Sequence, residues 1–109
     1  MRLSNLAIFA ILLTGCTTKS EDWRRICSAQ EMLQESLPGD GVAAQKELLR
    51  RLHQKAHHHS VIARLGAMQS PIVDVAQYAP MIRLSAQEVG VAECPLADAW
   101  DVRFPNAKR

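Results

Sequence analysis

The chain has 109 residues, a net charge of +2 at pH 7 and only 5% aromatic residues. That length suits one small domain, and so even a charge balance leaves no electrostatic footprint for nucleic acid. A core must come mainly from Leu, Ile, Val, Met and Ala, a set that favours helices over a β-sandwich, so the expected fold class is all-α.

Residues 1–15 have the parts of an export signal: Arg2 at the start, an apolar stretch from Leu3 to Leu13, and the small pair Thr14-Gly15. The uninterrupted apolar run, Leu6 to Leu13, is eight residues, well short of the ~20 that span a bilayer. Taken alone this is an ordinary signal peptide, or a short helix ending in Gly-Cys. Leu13-Thr14-Gly15-Cys16, however, resembles the lipobox of bacterial lipoproteins. The resemblance implies removal of residues 1–15, diacylglycerol on the Cys16 sulfur and acylation of the new amino group. Cysteine is required there because its thiolate is the available nucleophile for a thioether. Two or three acyl chains anchor stably where one does not. In lipoproteins an Asp after the Cys tends to retain the protein in the inner membrane. Thr17 stands there here, which implies the periplasmic face of the outer membrane if the cell is Gram-negative. No cofactor beyond this lipid is expected.

Residues 16–20 read as the lipidated Cys16 and a short tether, 21–102 as a helical domain and 103–109 as a tail. Thr18-x-x-Glu21 is a capping box, and Glu21 and Asp22 suit the positive end of a helix. Trp23, Ile26, Cys27, Gln30, Leu33 and Leu37 follow at helical spacing, predicting a helix over 20–37 that ends at Pro38-Gly39-Asp40-Gly41. Asp40 is the expected N-cap of a second helix, with Leu48, Leu49, Leu52 and Ala56 as its buried stripe. At 100° per residue from Leu48, those residues fall at about 0–100°, whereas Val61, Leu65 and Met68 on the same helix would fall at roughly 200–260°. The apolar face would jump sides. The simpler reading is a break near His58–Ser60, with Ser60 capping a third helix over about 61–69; a continuous helix would need partners on both sides. Ser70-Pro71 restarts the chain into a short helix through Ile72, Val73, Val75, Ala76 and Ala79. Pro80 opens another, with Met81, Ile82, Leu84, Ser85 and Val89 inward, Gly90 as C′ and Val91 as its apolar contact. A last turn runs from Pro95 through Leu96 and Trp100. The expectation is a small bundle of about five short helices.

With Cys16 taken by lipid, Cys27 and Cys94 remain as a pair in an oxidising compartment, and a disulfide between them is expected. It would close the domain end to end and stabilise it by roughly 4 kcal/mol through loop-closure entropy. A metal-binding or reactive thiol pair would want a Cys-x-x-Cys or a nearby His-Cys spacing, and neither is present. Trp23 and Trp100, close in sequence to the two cysteines, are candidates to pack near the bridge.

His53, His57, His58 and His59 form the one cluster with potential chemistry. His53 and His57, at i and i+4, are spaced to chelate a transition metal on one helix face. Lys46 and Arg50 share that stripe and would repel a cation, so no metal is assigned; the plainer reading is a solvated basic face. An intermediate reading has His53 and His57 touching an anionic headgroup or an acidic partner, with contact strengthening in mild acid and weakening with salt. Ser28, Ser36, Ser60, Ser70 and Ser85 lack a Gly-x-Ser-x-Gly elbow, and there is no Gly-rich phosphate loop, haem-attachment motif or identifiable catalytic carboxylate pair. No catalytic residue is nominated. The sequence therefore suggests a non-catalytic, membrane-anchored accessory protein with an envelope protein as partner and no nucleic acid. In size, anchor and helix content it is similar to pilotins, small helical lipoproteins that escort secretin subunits, although no residue motif carries that likeness. Such a protein would offer a groove between helices to a partner's amphipathic helix, and the apolar positions of the third and fourth helices are the place to look first. The alternative is a periplasmic metal-binding lipoprotein built on His53 and His57.

Overall fold

The computed structural model describes residues 17–105. Cys16, the signal segment and the last four residues lie outside that range. Within it the chain forms five α-helices and no strand: α1 (Lys19–Cys27), α2 (Val42–Lys55), α3 (His59–Met68), α4 (Tyr78–Glu88) and α5 (Pro95–Arg103). Two short 3-10 helices, Gln30–Gln34 and Val75–Gln77, join α1 to α2 and lead into α4.

The capping box is present. The Glu21 N–H donates to Thr18 Oγ1 at 3.1 Å and the Thr18 N–H to Glu21 Oε1 at 3.1 Å. This starts α1 at Lys19. The helix then stops at Cys27, ten residues short of the expected Leu37. Continued as an α-helix it would set Met32 about 180° from Trp23, on the solvent side. Instead Ser28 donates its hydroxyl to the Arg24 carbonyl at 2.9 Å, a local bond that competes with helix propagation. The chain turns, and Met32 and Leu33 come inward beneath α5.

Five further expectations change. Asp40 does not cap α2: Gly41 precedes the helix without a side-chain cap, and Asp40 pairs with Arg103 at 3.5 Å. The α2–α3 break is real, but its cap is His58, whose Nδ1 accepts from the Ser60 N–H at 3.1 Å. The helix expected after Ser70-Pro71 is instead a turn followed by one 3-10 turn. There Asp74 Oδ1 accepts from the Ala76 N–H at 3.0 Å, which fixes where the new turn begins. Pro80 does not open α4 but is its third residue, tolerated because first-turn N–H groups have no intrahelical acceptor. Leu84 is 54% exposed rather than inward. The inward face of α4 runs through Tyr78, Ala79, Ile82, Ser85 and Ala86, and Leu84 lies about 160° from its centre. Gly90 and Val91 behave as expected. Gly90 has φ +83°, its N–H donates to the Gln87 carbonyl at 3.0 Å, and the Val91 N–H donates to that of Ala86 at 2.9 Å. This is a Schellman closure.

One apolar core joins all five helices: Trp23 and Ile26 from α1, Leu48, Leu49 and Leu52 from α2, Val61, Leu65 and Met68 from α3, Ile82 from α4, Leu96 and Trp100 from α5. Cys27 and Cys94 are buried and bridged, with Cα atoms 4.5 Å apart, which ties the end of α1 to the start of α5. Trp100 packs edge-on to Tyr78, with ring centroids 6.2 Å apart, and tilted against Phe104 at 6.1 Å. Its indole N–H donates to the buried Gln45 Oε1 at 3.0 Å. Arg83 on α4 reaches Asp98 at 3.0 Å and Asp101 at 3.1 Å on α5.

Replacing Cys27 and Cys94 together by Ser should lower the unfolding free energy by about 4 kcal/mol in urea titration; an unchanged midpoint would contradict the bridge. Gln45→Ala strands the buried indole N–H and should cost about 2 kcal/mol in the same measurement. A loss no larger than that of an exposed Gln→Ala control would contradict it.

Candidate functional site

Two of the predicted histidines, His57 and His58, meet one buried carboxylate where α2 gives way to α3. Asp22 lies on the same face of α1 as Trp23 and Ile26, and it is fully buried. Its Oδ2 accepts from the backbone N–H groups of His57 at 2.8 Å and His58 at 2.7 Å. Its Oδ1 pairs with the Arg25 guanidinium, which also donates to the Lys55 carbonyl at 2.9 Å. One side chain of α1 thus satisfies amides left over at the break, while Arg25 satisfies a carbonyl at the end of α2. Burial pushes the Asp22 carboxyl up, but the bonds from His58, Arg25 and His57 outweigh it and hold its pKa below the usual carboxylate range.

This arrangement gives each histidine a local role. α2 ends at Lys55, so His57 sits beyond the helix that carries His53, and the single-helix i, i+4 chelating geometry is not formed. His57 Nε2 lies 3.3 Å from Arg25 Nη1. A guanidinium can only donate, so that nitrogen accepts, and a metal there would have to displace Arg25. His53 packs at the α2–α3 interface, where a Cβ added to Gly66 would come within 3.3 Å of its Nε2. His58 caps α3, and its ring stacks on His59 with centroids 4.4 Å apart. Among the described residues no group of three or more His, Cys, Asp or Glu is placed to hold a metal.

The basic stripe is also less open than its sequence implies. Glu47 accepts from Arg50 at 2.8 and 2.6 Å and from Arg51 at 2.7 Å. These bonds, with that from Arg50 the strongest, lower the Glu47 pKa to about 2. Arg50 is therefore neutralised on its own helix, while Lys46 makes no ion pair among the described residues.

A second feature is apolar. At the N-terminal end of α2, a groove of about 520 Å³ runs between Val42, Val75, Ala76 and Phe104. A shallower hollow adjoins it, sharing Val42, Asp74 and Val75 and extending to Ile72 and Lys46. Val42 is 53% exposed and Ile72 92%. Ile72 was expected on a short helix whose apolar positions were a first place to seek a groove; it stands instead in a turn, exposed beside this groove. On α3, Val61, Leu65 and Met68 are buried in the core, whereas Ile62 is 38% exposed.

The role of Asp22 was missed in the sequence, where it reads as a first-turn acid suited to the helix dipole. The available signal was its register, four residues before Ile26 on the buried face. Cys16 lies outside the described residues. Comparison with family models, with curated proteins and with solved structures finds no match for this chain.

Asp22→Ala should lower the unfolding free energy by about 3 kcal/mol, because it strands two amides and the Arg25 charge. Because the folded-state pKa is depressed, the contribution is complete above the unfolded value near 4 and is lost as pH falls through the folded value. Urea titrations between pH 2 and 7 should show wild type converging on the variant at the acid end. A constant gap across that range would contradict the assignment.

Proposed function

We propose that this protein is a lipid-anchored accessory protein of the bacterial envelope, non-catalytic, which acts by binding another protein close to the membrane. One observation carries the reading: Leu13-Thr14-Gly15-Cys16 closes an eight-residue apolar run and is itself followed, two residues later, by the capping residue of the first helix. An anchor at Cys16 would be joined to the folded domain by Thr17 alone before Thr18 begins its cap. A link of that length reaches no more than about 10 Å and would keep the domain against the lipid surface. Among the described residues no helix is long and apolar enough to cross a membrane.

An accessory role is supported by a self-contained helical core and an exposed apolar groove at the far end of α2 from the α1 junction. A pilotin-like task is one form this role could take, by likeness of size, anchor and helix content. The metal-binding alternative gains nothing from His53 and His57: His57 Nε2 lies against Arg25, and His53 Nε2 lies against Gly66.

Membrane fractionation combined with mass spectrometry of the amino-terminal peptide tests the reading. The expected result is membrane-associated protein beginning at Cys16 with a thioether-linked diacylglycerol, and an uncleaved or mislocalised protein for Cys16→Ser. Native protein with an unmodified Cys16 thiol in the soluble fraction would contradict it.

A further inference from the structure

We infer that the exposed groove at the start of α2 is a self-association surface, and that its occupant is a second copy of this chain. The inference rests on the reading of the protein as a binding module and names its partner.

Apolar side chains stand open on this surface: Ile72 is 92% exposed and Val42 53%, with Val73 and Val75 partly exposed beside them. The rim carries one charge of each sign. Lys46 and Asp74 line the same hollow, yet they form no ion pair with each other, and neither pairs with another described residue. Asp74 spends one oxygen on the Ala76 N–H, which leaves its second oxygen open. At the other margin Asp40 and Arg103 repeat the mixture of signs, paired at 3.5 Å.

A two-fold axis through the apolar strip sets Lys46 opposite the Asp74 of the other copy, and Asp74 opposite its Lys46. Both unpaired charges are then matched, and Val42 and Ile72 of each copy leave water together. A lipid surface presenting mainly anionic groups answers Lys46 but repels Asp74, so the rim chooses against it. The surface also lies on the right part of the molecule. α2 meets α1 at its C-terminal end, through Arg25 and the Lys55 carbonyl, while the groove is at its N-terminal end, about 20 Å away along the helix. An anchor just before α1 leaves it free. Two copies held in one membrane plane meet at a raised effective concentration, which lets a patch of this modest size suffice.

The test mixes equal amounts of unlabelled and ¹⁵N-labelled full-length processed protein in detergent and in reconstituted vesicles. A zero-length carbodiimide reagent is added, and cross-linked peptides are read by mass. The expected product joins Lys46 to Asp74 in mixed-isotope pairs. Ile72→Asp should reduce its yield roughly ten-fold or more without shifting the melting temperature, since Ile72 touches nothing the core needs. Lys46→Glu and Asp74→Lys should each self-associate poorly, yet an equimolar mixture of the two should restore cross-species pairs, because position 46 of each variant then meets an opposite charge at position 74 of the other. Pairs of one isotope only, monomers at all concentrations, or mixed pairs indifferent to Ile72→Asp would overturn the inference. The Cys16 mass is measured on the same sample: an unmodified Cys16 defeats the anchor while leaving the pairing result readable. A lipidated protein that stays monomeric defeats the pairing and leaves the anchored-accessory reading standing.

Discussion

The carboxylate of Asp22 is the point on which the arrangement of helices turns. The apolar stripes of α2 and α3 face different sides of a common helical axis, so the chain must break between them, and every break leaves amides and carbonyls without helical partners. Here the break is not left to water. Asp22 reaches across from α1 to the His57 and His58 amides, and its ion-pair partner Arg25 takes the Lys55 carbonyl. A charge this deeply buried is costly unless fully bonded, and three donors meet that condition. α1 is thereby fixed against the α2–α3 corner at one end, and the Cys27–Cys94 bridge fixes its other end to α5.

These two constraints explain which parts of the fold were legible in sequence. The capping box at Thr18, the break after α2, the Gly90 closure, Pro95 at the head of α5 and the cysteine pair are each set by local chemistry or by counting, and each stands where it was expected. The departures occur where a tertiary contact overrides a local pattern. Helical spacing continues past Cys27, but Met32 and Leu33 are needed beneath α5, so the helix ends. Ser70-Pro71 is a good helix start, but Asp74 captures the Ala76 amide and delays the helix to Tyr78. The cap of α3 is one position type that sequence preference ranks low, a histidine ring rather than the nearby serine.

The same holds for the candidate site. The histidine cluster was visible as composition, but its meaning was not, since Arg25, Ser60 and Gly66 come to it from other parts of the chain or from the following turn. Asp22 was hidden because a first-turn acid is so common that its burial is not suspected. Ile72 was expected on a short helix, and a turn holds it instead, leaving it the most exposed apolar side chain near the groove. The histidines thus become part of the scaffold, and Val42 and Ile72 stand exposed beside the unpaired Lys46 and Asp74. A lipid anchor before α1 and a binding strip at the far end of α2 would divide the molecule into a membrane-proximal half held rigid by Asp22 and a half that presents a contact.

Amide hydrogen exchange at His57 and His58 tests the central claim most directly. If Asp22 holds the corner, these two amides, though outside any helix interior, should exchange as slowly as those of Leu48, Leu49 and Leu52 in α2 and should lose that protection in Asp22→Ala. Exchange at the rate of the exposed turn at 38–41 in the wild-type protein would contradict it.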